Sequence, residues 1–387
     1  MKVFICGGGS GKQTERALRR LDEVINHHLP CLYIPLAMEE DQYDSCYEWI
    51  GGELRDVDVP GIEMIRSAEE LSGKHLADYS FLFIGGGNTF RLLSEIKRVS
   101  MFEPIREYLL NGGVAFGGSA GAIIFGEDLE SCALDDENEV GLLDTNGFDV
   151  LNGFSFLCHF TNRSAEHDQR CGEYLLKISN HRKTYALPEE DTLFVNGTQI
   201  EEIIDRPYFI FEDGKMTEIS LVGNGKYICK IGSLEEMNQK WDYEIRQHPE
   251  SENWMIWKCK AIDSFKTGRS VPYYGILDGT VICEATALPF HDDPQDSRDK
   301  NEHVAELCAF RTIKAYRGQG YFSKLMGFML RDLKQKGYNK AVVGVEPKEK
   351  LNREIYHHWG FTELVSTGTE TYPDGTVIEV EFYRKQL

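Results

Sequence analysis

The pentapeptide Gly117-Gly-Ser-Ala-Gly121 lies between an apolar run, Gly113–Phe116, and a second apolar stretch that begins Ala122-Ile-Ile-Phe. A serine at a sharp strand-to-helix turn holds its Oγ exposed. Small neighbours let the turn fit, and the following helix start brings free amides and positive dipole to an oxyanion. The G-x-S-x-G pattern alone describes a phosphate-binding or packing turn equally well. Two further features favour nucleophilic chemistry. Phe83-Ile-Gly-Gly-Gly-Asn-Thr-Phe90 ends a preceding apolar run in an amide-rich turn that can offer a second oxyanion donor. His159, in Leu157-Cys-His-Phe160, follows another apolar run and is placed to emerge at a strand end. A lone histidine in that position is more often structural, but below an elbow serine it becomes the general-base candidate of this half.

A second chemistry-bearing series lies near the other end. Glu306-Leu-Cys-Ala-Phe-Arg-Thr-Ile313 reads as a strand leading to Tyr316-Arg-Gly-Gln-Gly-Tyr-Phe-Ser323 and a helix over Lys324–Lys336. Glycines 318 and 320 allow the backbone to approach a pyrophosphate, and the helix start directs amides at it. Arg317 adds charge. A bare R-G-x-G could equally be a tight turn, so the segments after it matter: a buried strand, Ala341-Val-Val-Gly-Val-Glu346, then Asn352-Arg-Glu-Ile-Tyr-His-His-Trp-Gly-Phe361. Tyr356 can hydrogen-bond a departing thiolate and deliver its proton, or it can simply anchor its helix. Glu306 and Glu346 are candidate bases for an amine. Tyr273, Tyr274 and Trp359 could line a pocket for that amine, although packing explains them as well.

The elements that must position these residues differ between the two halves. Strands are expected at Lys2–Cys6, Leu32–Pro35, Ile62–Ile65, Tyr79–Ile84 and Gly113–Phe116, with a helical pattern at Gln13–Ile25. Strand, glycine turn, helix, repeated, implies a parallel sheet covered by helices, with ligands at the carboxyl ends of the strands. After Pro188 the pattern changes to hairpins that could close the far edge of that sheet. From Tyr227 the order is mixed: helical segments to about Lys266, an antiparallel pair at Pro272–Ile276 and Thr280–Ala287, a polar loop at His291–Asn301, then strand, helix, strand, helix and a hairpin turning at Pro373-Asp-Gly375. The expected domains are 1–222 and 223–387, an α/β parallel-sheet three-layer sandwich followed by an α+β domain.

With 387 residues, 41% hydrophobic and 27% charged, each half can bury its own core. A formal net charge of -21 argues against nucleic acid or an anionic membrane as partner, because both need clustered cations. No apolar run is long enough for a membrane span, and the apolar start is too short for a signal peptide. The 10 cysteines stand singly, without a C-x-x-C pair, which reads as reduced thiols in a cytoplasmic protein with no metal site. Gly7-Gly-Gly-Ser-Gly-Lys12 is not a phosphate-binding P-loop. Gln13 stands where a Mg²⁺-ligating Ser or Thr is needed, and Cys6 replaces the first glycine. Those glycines are expected to floor the serine site.

The ordered series Gly-Gly-Gly-Asn-Thr-Phe, Gly-Gly-Ser-Ala-Gly-Ala, Asn146-Gly-Phe-Asp149 and His159-Phe resembles the dipeptidase E and cyanophycinase family of serine peptidases, S51, over roughly Met1–Ser220. That family's fold is related to class I glutamine amidotransferases. An amidotransferase itself would need a cysteine at 119 and an H-x-E pair, and neither occurs. The resemblance implies Ser119 as nucleophile, His159 as base, and the amides of Gly86 or Gly87 and of Ala120 as oxyanion hole, with no cofactor. Counting back from Asn146 gives Glu139 as the third triad member, with Asp135 and Asp136 close by. His167 stands where dipeptidase E carries an arginine for aspartyl substrates, although Arg163 or Arg170 could substitute. The second half resembles the GNAT acetyltransferases over about Tyr227–Leu387. It implies acetyl-CoA held by the amides of Arg317, Gly318, Gln319, Gly320, Tyr321 and Phe322, with Asn352 on the pantetheine arm and Tyr356 as acid. Phe322 departs from the Gly or Ala usual at its place. The expected function is therefore a fusion of a small-peptide hydrolase and an N-acetyltransferase for a small amine or peptide N-terminus. The alternative is an active acetyltransferase with a peptide-binding or regulatory module. Small peptides and amines are the expected partners, with a homodimer as the protein partner to test.

Overall fold

Short apolar runs bounded by glycines and polar turns become strands, as alternation and length require. The computed structural model describes residues 1–222, 225–289 and 303–387, and the chain parts into two units, Met1–Leu221 and Val222–Leu387. The loop expected at His291–Asn301 lies outside the described residues.

In the first unit the strands are β1 (Lys2–Cys6), β2 (Cys31–Ile34), β3 (Ile62–Met64), β4 (Phe81–Ile84), β5 (Val114–Gly118), β6 (Phe154–Leu157), β7 (Lys183–Ala186), β8 (Thr192–Asn196), β9 (Gln199–Ile203), β10 (Tyr208–Glu212) and β11 (Lys215–Val222). The principal sheet runs β3-β2-β4-β5-β1-β8-β9. It is parallel from β3 to β1, and the β8–β9 hairpin adds antiparallel strands at the β1 edge. Register sets four phenylalanines in a row across it: Phe83 opposite Phe116, Phe116 opposite Phe4, Phe4 opposite Phe194. Their rings stack at 5.0, 5.7 and 4.2 Å between centroids. All four are buried, and truncating one to alanine would cost about 3–5 kcal/mol. Only the first of the two expected hairpins closes this sheet. The second, β10–β11, joins β6 and β7 in the order β11-β10-β7-β6, so β6, which delivers His159, belongs to a different sheet from the serine strand β5.

The second unit holds β12 (Gly225–Ile231), β13 (Val271–Leu277), β14 (Thr280–Pro289), β15 (Val304–Thr312), β16 (Lys340–Val345), β17 (Glu363–Thr371) and β18 (Val377–Gln386). Their order is β12-β13-β14-β15-β16-β18-β17. Every pair is antiparallel except β15 with β16. Those two pair only from Val304 opposite Lys340 to Leu307 opposite Val343. Past that point they separate, β15 bending where Ala309 takes φ 55° and the β14 register slips between Glu284 and Thr286. Such a bulge turns a strand away from its neighbour. The helix Tyr321–Gln335 buries Tyr321, Leu325, Met326, Phe328, Met329 and Leu333, one face at helical spacing. The helix Leu234–Gln247 starts on a capping box of Ser233 and Glu236 and buries Met237 and Trp241 against Tyr274, Ile276 and Val281.

Candidate active sites

Strand β5 runs directly into a single helical turn, Ala120–Ile123, and Ser119 joins them at φ 53°, ψ −115°. A non-glycine residue does not hold such a backbone unless its surroundings impose it. The two glycines of the motif supply the space. A Cβ at Gly117 would meet the Gly121 carbonyl oxygen at 2.3 Å, and one at Gly121 would meet that of Ile84 at 2.1 Å. With one turn of helix behind it, the site has free N–H groups but little of the expected macrodipole, so the amides themselves are the resource. Among the described residues no acceptor takes the amides of Gly86, Gly87 or Ala120. Gly86 abuts the serine: its Cβ, if present, would lie 3.1 Å from that of Ser119.

Ser119 Oγ stands 2.9 Å from His159 Nε2. His159 is itself at φ 60°, two residues past the end of β6, and its amide donates to the Gly7 carbonyl at 2.9 Å. The Gly7–Gly9 segment does floor the site. A side chain at Gly8 would stand 2.4 Å from the imidazole, and one at Gly7 would meet the Pro188 carbonyl oxygen at 1.8 Å. On the far side of the ring, Nδ1 lies 3.0 Å from Glu189 Oε1. Glu189 is fixed in turn: its Oε2 accepts from Gln13 Nε2 at 3.0 Å, and its amide donates to Asn162 Oδ1 at 2.9 Å. Two thiols are close, Cys158 Sγ lying 3.6 Å from the Ser119 carbonyl oxygen and Cys6 ending β1. Burial pushes both thiol pKa values up, which keeps them protonated and unreactive.

In the second unit, a cleft of about 1000 Å³ is lined by Arg317, Gly318, Gly320, Tyr321 and Phe322 on one side and by Asn352, Tyr356 and Trp359 on another. Gly318 and Gly320 take φ 74° and 81°, and no other atom lies within 4 Å of where their Cβ atoms would be. Their value is therefore backbone freedom, not clearance. The amides of residues 318–322 have no acceptor among the described residues, and they end on a helix of 15 residues. That cradle fits a pyrophosphate. Phe322 stacks on Trp359 at 5.6 Å and leans on Phe310, forming the cleft wall. The Tyr356 ring meets Phe310 edge-on at 5.7 Å; burial, then Glu349, raises its phenol to about 12, so it keeps its proton at any working pH.

The sequence profile of peptidase family S51 matches residues 3–203, just over half of the chain. The chain belongs to peptidase family S51. The acetyltransferase (GNAT) family profile matches residues 233–361, so an S51 domain is followed by a GNAT domain. The first is similar to Peptidase E of Salmonella typhimurium, 28% identical over 193 residues, 48% of this chain and 81% of that protein. Among solved structures, a putative peptidase E from Listeria monocytogenes EGD-e is 22% identical with TM-score 0.43, covering 52% of this chain and 96% of its own. A putative acetyltransferase from Salmonella typhimurium, solved with acetyl-CoA, is 13% identical with TM-score 0.32, covering 42% and 94%. A GNAT domain implies acetyl-CoA use, and the cleft at Gly318–Phe322 has free amides for it.

Within this S51 domain the acidic partner differs from the sequence expectation. Glu139 is exposed, 3.7 Å from the Arg91 guanidinium, and makes no contact with His159. Glu189 holds that place instead. The count back from Asn146 presumed that the acid precedes the histidine in the chain, whereas the turn after β7 brings Glu189 up behind it. Pro188-Glu-Glu-Asp191, an acidic run leaving a strand, was the signal. The other two candidates have separate tasks: half-buried Asp136 accepts from the Thr89 amide at 2.8 Å and from its hydroxyl, and Asp135 lies 2.7 Å from His167 Nε2. His167 is thus tied to Asp135, while Arg163 and Arg170 are exposed. In the GNAT domain, the Arg317 amide is already bonded to Lys314, its guanidinium donates to the Thr312 carbonyl at 2.9 Å, and Gln319 donates to Ala315, so the free cradle begins at Gly318. Asn352 is held by Glu349 at 2.9 Å. Tyr273 and Tyr274 are buried, Tyr273 donating to Asp332 at 2.6 Å, and Trp359 lines the large cleft; none of the three lines the smaller cavity on the other side of Tyr356. Glu306 and Glu346 do line it.

Proposed function

We propose that Ser119, His159 and Glu189 are the catalytic triad of a peptidase for small peptides, and that the GNAT domain acetylates a small amine or peptide N-terminus. The observation that carries the first half is the hydrogen-bonded series from Ser119 Oγ through His159 to Glu189. His159 Nε2 takes the serine proton as Oγ attacks the scissile carbonyl, and Glu189 stabilises the imidazolium and fixes its orientation. The unpaired amides of Gly86 or Gly87 and of Ala120 receive the oxyanion. His159 then protonates the leaving amine, and a water repeats the sequence to release the acid from Ser119.

Acetyl-CoA supplies an acetyl group activated as a thioester. The amides of residues 318–322 would hold its pyrophosphate and Asn352 would bond its arm, while Tyr356 would offer its phenolic proton to the sulfur. Glu306, half-buried and raised in pKa by burial and then by Glu370, accepts the amine proton directly or through water. A module that only bound peptides would have no use for an aligned relay on a strained serine. Labelling by a fluorophosphonate probe should occur in the wild type and disappear in Ser119→Ala and His159→Ala; labelling that persists in Ser119→Ala, or no serine-dependent turnover across a peptide panel, would overturn the peptidase reading.

A further inference from the structure

Where β15 and β16 separate, they leave a cavity of about 230 Å³ bounded by Cys308, Ala309 and Phe310 on one strand and Gly344, Val345 and Glu346 on the other. Phe310 and Tyr356 line this cavity and also the large cleft, so the two spaces meet at the phenol expected to face the thioester. An acceptor must reach that point from the side the cofactor does not occupy, and this cavity provides the way. Its charge is one-sided. Glu306, Glu346, Glu349 and Glu370 all line it, and no Lys or Arg does. Lys348 answers Glu346 at 2.5 Å from an exposed position, and Glu349 is engaged by the Asn352 amide, which is neutral. Glu306 and Glu370 have no hydrogen-bond or ion-pair partner among the described residues.

We propose that this cavity is the acetyl-acceptor site and that it selects a dicationic amine, such as an α,ω-diamine. One amine reacts at Tyr356, and the second, kept as ammonium, is held by the outer carboxylates headed by Glu370. The proposal rests on the acetyltransferase reading above. An anionic acceptor would meet uncompensated carboxylates, and a neutral one would leave them unpaired; a hydrogen-bonded ammonium satisfies them, at about 1.5–3 kcal/mol for a charged bond. The reaction balances simply. The incoming ammonium gives one proton to Glu306 or its water, and the free amine attacks the thioester carbonyl. The C–S bond breaks, the nitrogen loses its second proton, and the sulfur leaves as thiol, with one proton released to solvent overall.

The test uses the full chain with acetyl-CoA and three acceptors of one length: 1-aminobutane, 1,4-diaminobutane and 4-aminobutanoate. The diamine should exceed the monoamine in kcat/KM by about tenfold or more, the energy of one charged hydrogen bond, with the amino acid slowest. Glu370→Gln should shrink the diamine-to-monoamine ratio, and Glu370→Lys, on an exposed residue, should reverse it. Equal rates for diamine and monoamine, or preference for 4-aminobutanoate, would overturn the proposal. Calorimetric titration of 1,4-diaminobutane separates it from the reading beneath it. Glu370-dependent binding without acetylation of any amine would keep the cavity assignment and remove the transferase reading; absence of both binding and turnover removes the cavity assignment.

Discussion

Replacing Glu189 with Gln keeps the shape beside His159 Nδ1 but removes the charge that stabilises the imidazolium. Peptide hydrolysis should fall in kcat by roughly 10²–10⁴-fold with KM little changed, the range of general acid–base assistance. Glu139→Gln, on the exposed partner of Arg91, should stay within about twofold of wild type. A steady-state comparison of the two variants decides between the acids; equal losses would return Glu139 to the site. The pairing of Ser119 with His159 was legible in the sequence because the signatures are local: glycines at fixed offsets around Ser119, and an apolar strand before His159. The acid was not, because it reaches Nδ1 through a turn whose place is set by tertiary structure and by no spacing in the chain. The aromatic residues of the second half show the same limit. Tyr273 and Tyr274 read as pocket residues by type, yet β13 lies inside its sheet with both faces covered, so both are buried.

At the scale of elements, the loop between β15 and its helix works through backbone conformation. Gly318→Val has room for its side chain but must hold φ 74°, a left-handed state costing a β-branched residue about 1–2 kcal/mol. Acetyl-CoA affinity should therefore drop by roughly 5–30-fold. Gly318→Asn, whose side chain tolerates that region, should lose much less. Binding calorimetry on the two variants checks this, and equal losses would point to a side-chain clash with the ligand instead. The strands β1–β5 were readable from apolar runs and glycine punctuation. Hairpin sequence does not say which edge a hairpin will join, which is why β8–β9 and β10–β11 look alike in the sequence yet lie in different sheets.

At the scale of the whole chain, two units with separate cores should unfold as two transitions. Acetyl-CoA at about 100 times its Kd should stabilise only the second unit, by about 2.7 kcal/mol. Scanning calorimetry with and without the ligand would show one peak moving; a joint shift would mean the units unfold together. The first peak should also depend on pH through Asp191. Burial raises this carboxyl to about 7, Arg206 and Asp205 amides opposing the shift, while the unfolded value is near the ordinary one of about 3.9. The folded unit thus binds the extra proton between those values. Its contribution to stability is full below about pH 4 and is lost as pH rises through about 7. Each pKa unit is worth about 1.4 kcal/mol, and each kcal/mol about 2–4 °C for a unit of this size. Asp191→Asn should flatten that decline; an unchanged slope would show that the carboxyl ionises freely in the folded unit.

Ser119 and His159 both sit at positive φ, so the chain is bent against its preference at the two residues that must meet. The hydrolase has the character of a loaded spring, and its natural relaxation is loss of function. Glycine at 119 would release the tension. Ser119→Gly removes about 1–3 kcal/mol of local strain against about 0.5–1 kcal/mol of added chain freedom. That variant should be inactive yet melt a few degrees higher than wild type, whereas Ser119→Ala, bent in the same way, should be inactive with no such gain. Identical melting temperatures for the two would show that the bend is free of cost. Otherwise, random substitution selected for durability alone would drift toward a sturdier protein that no longer cuts anything.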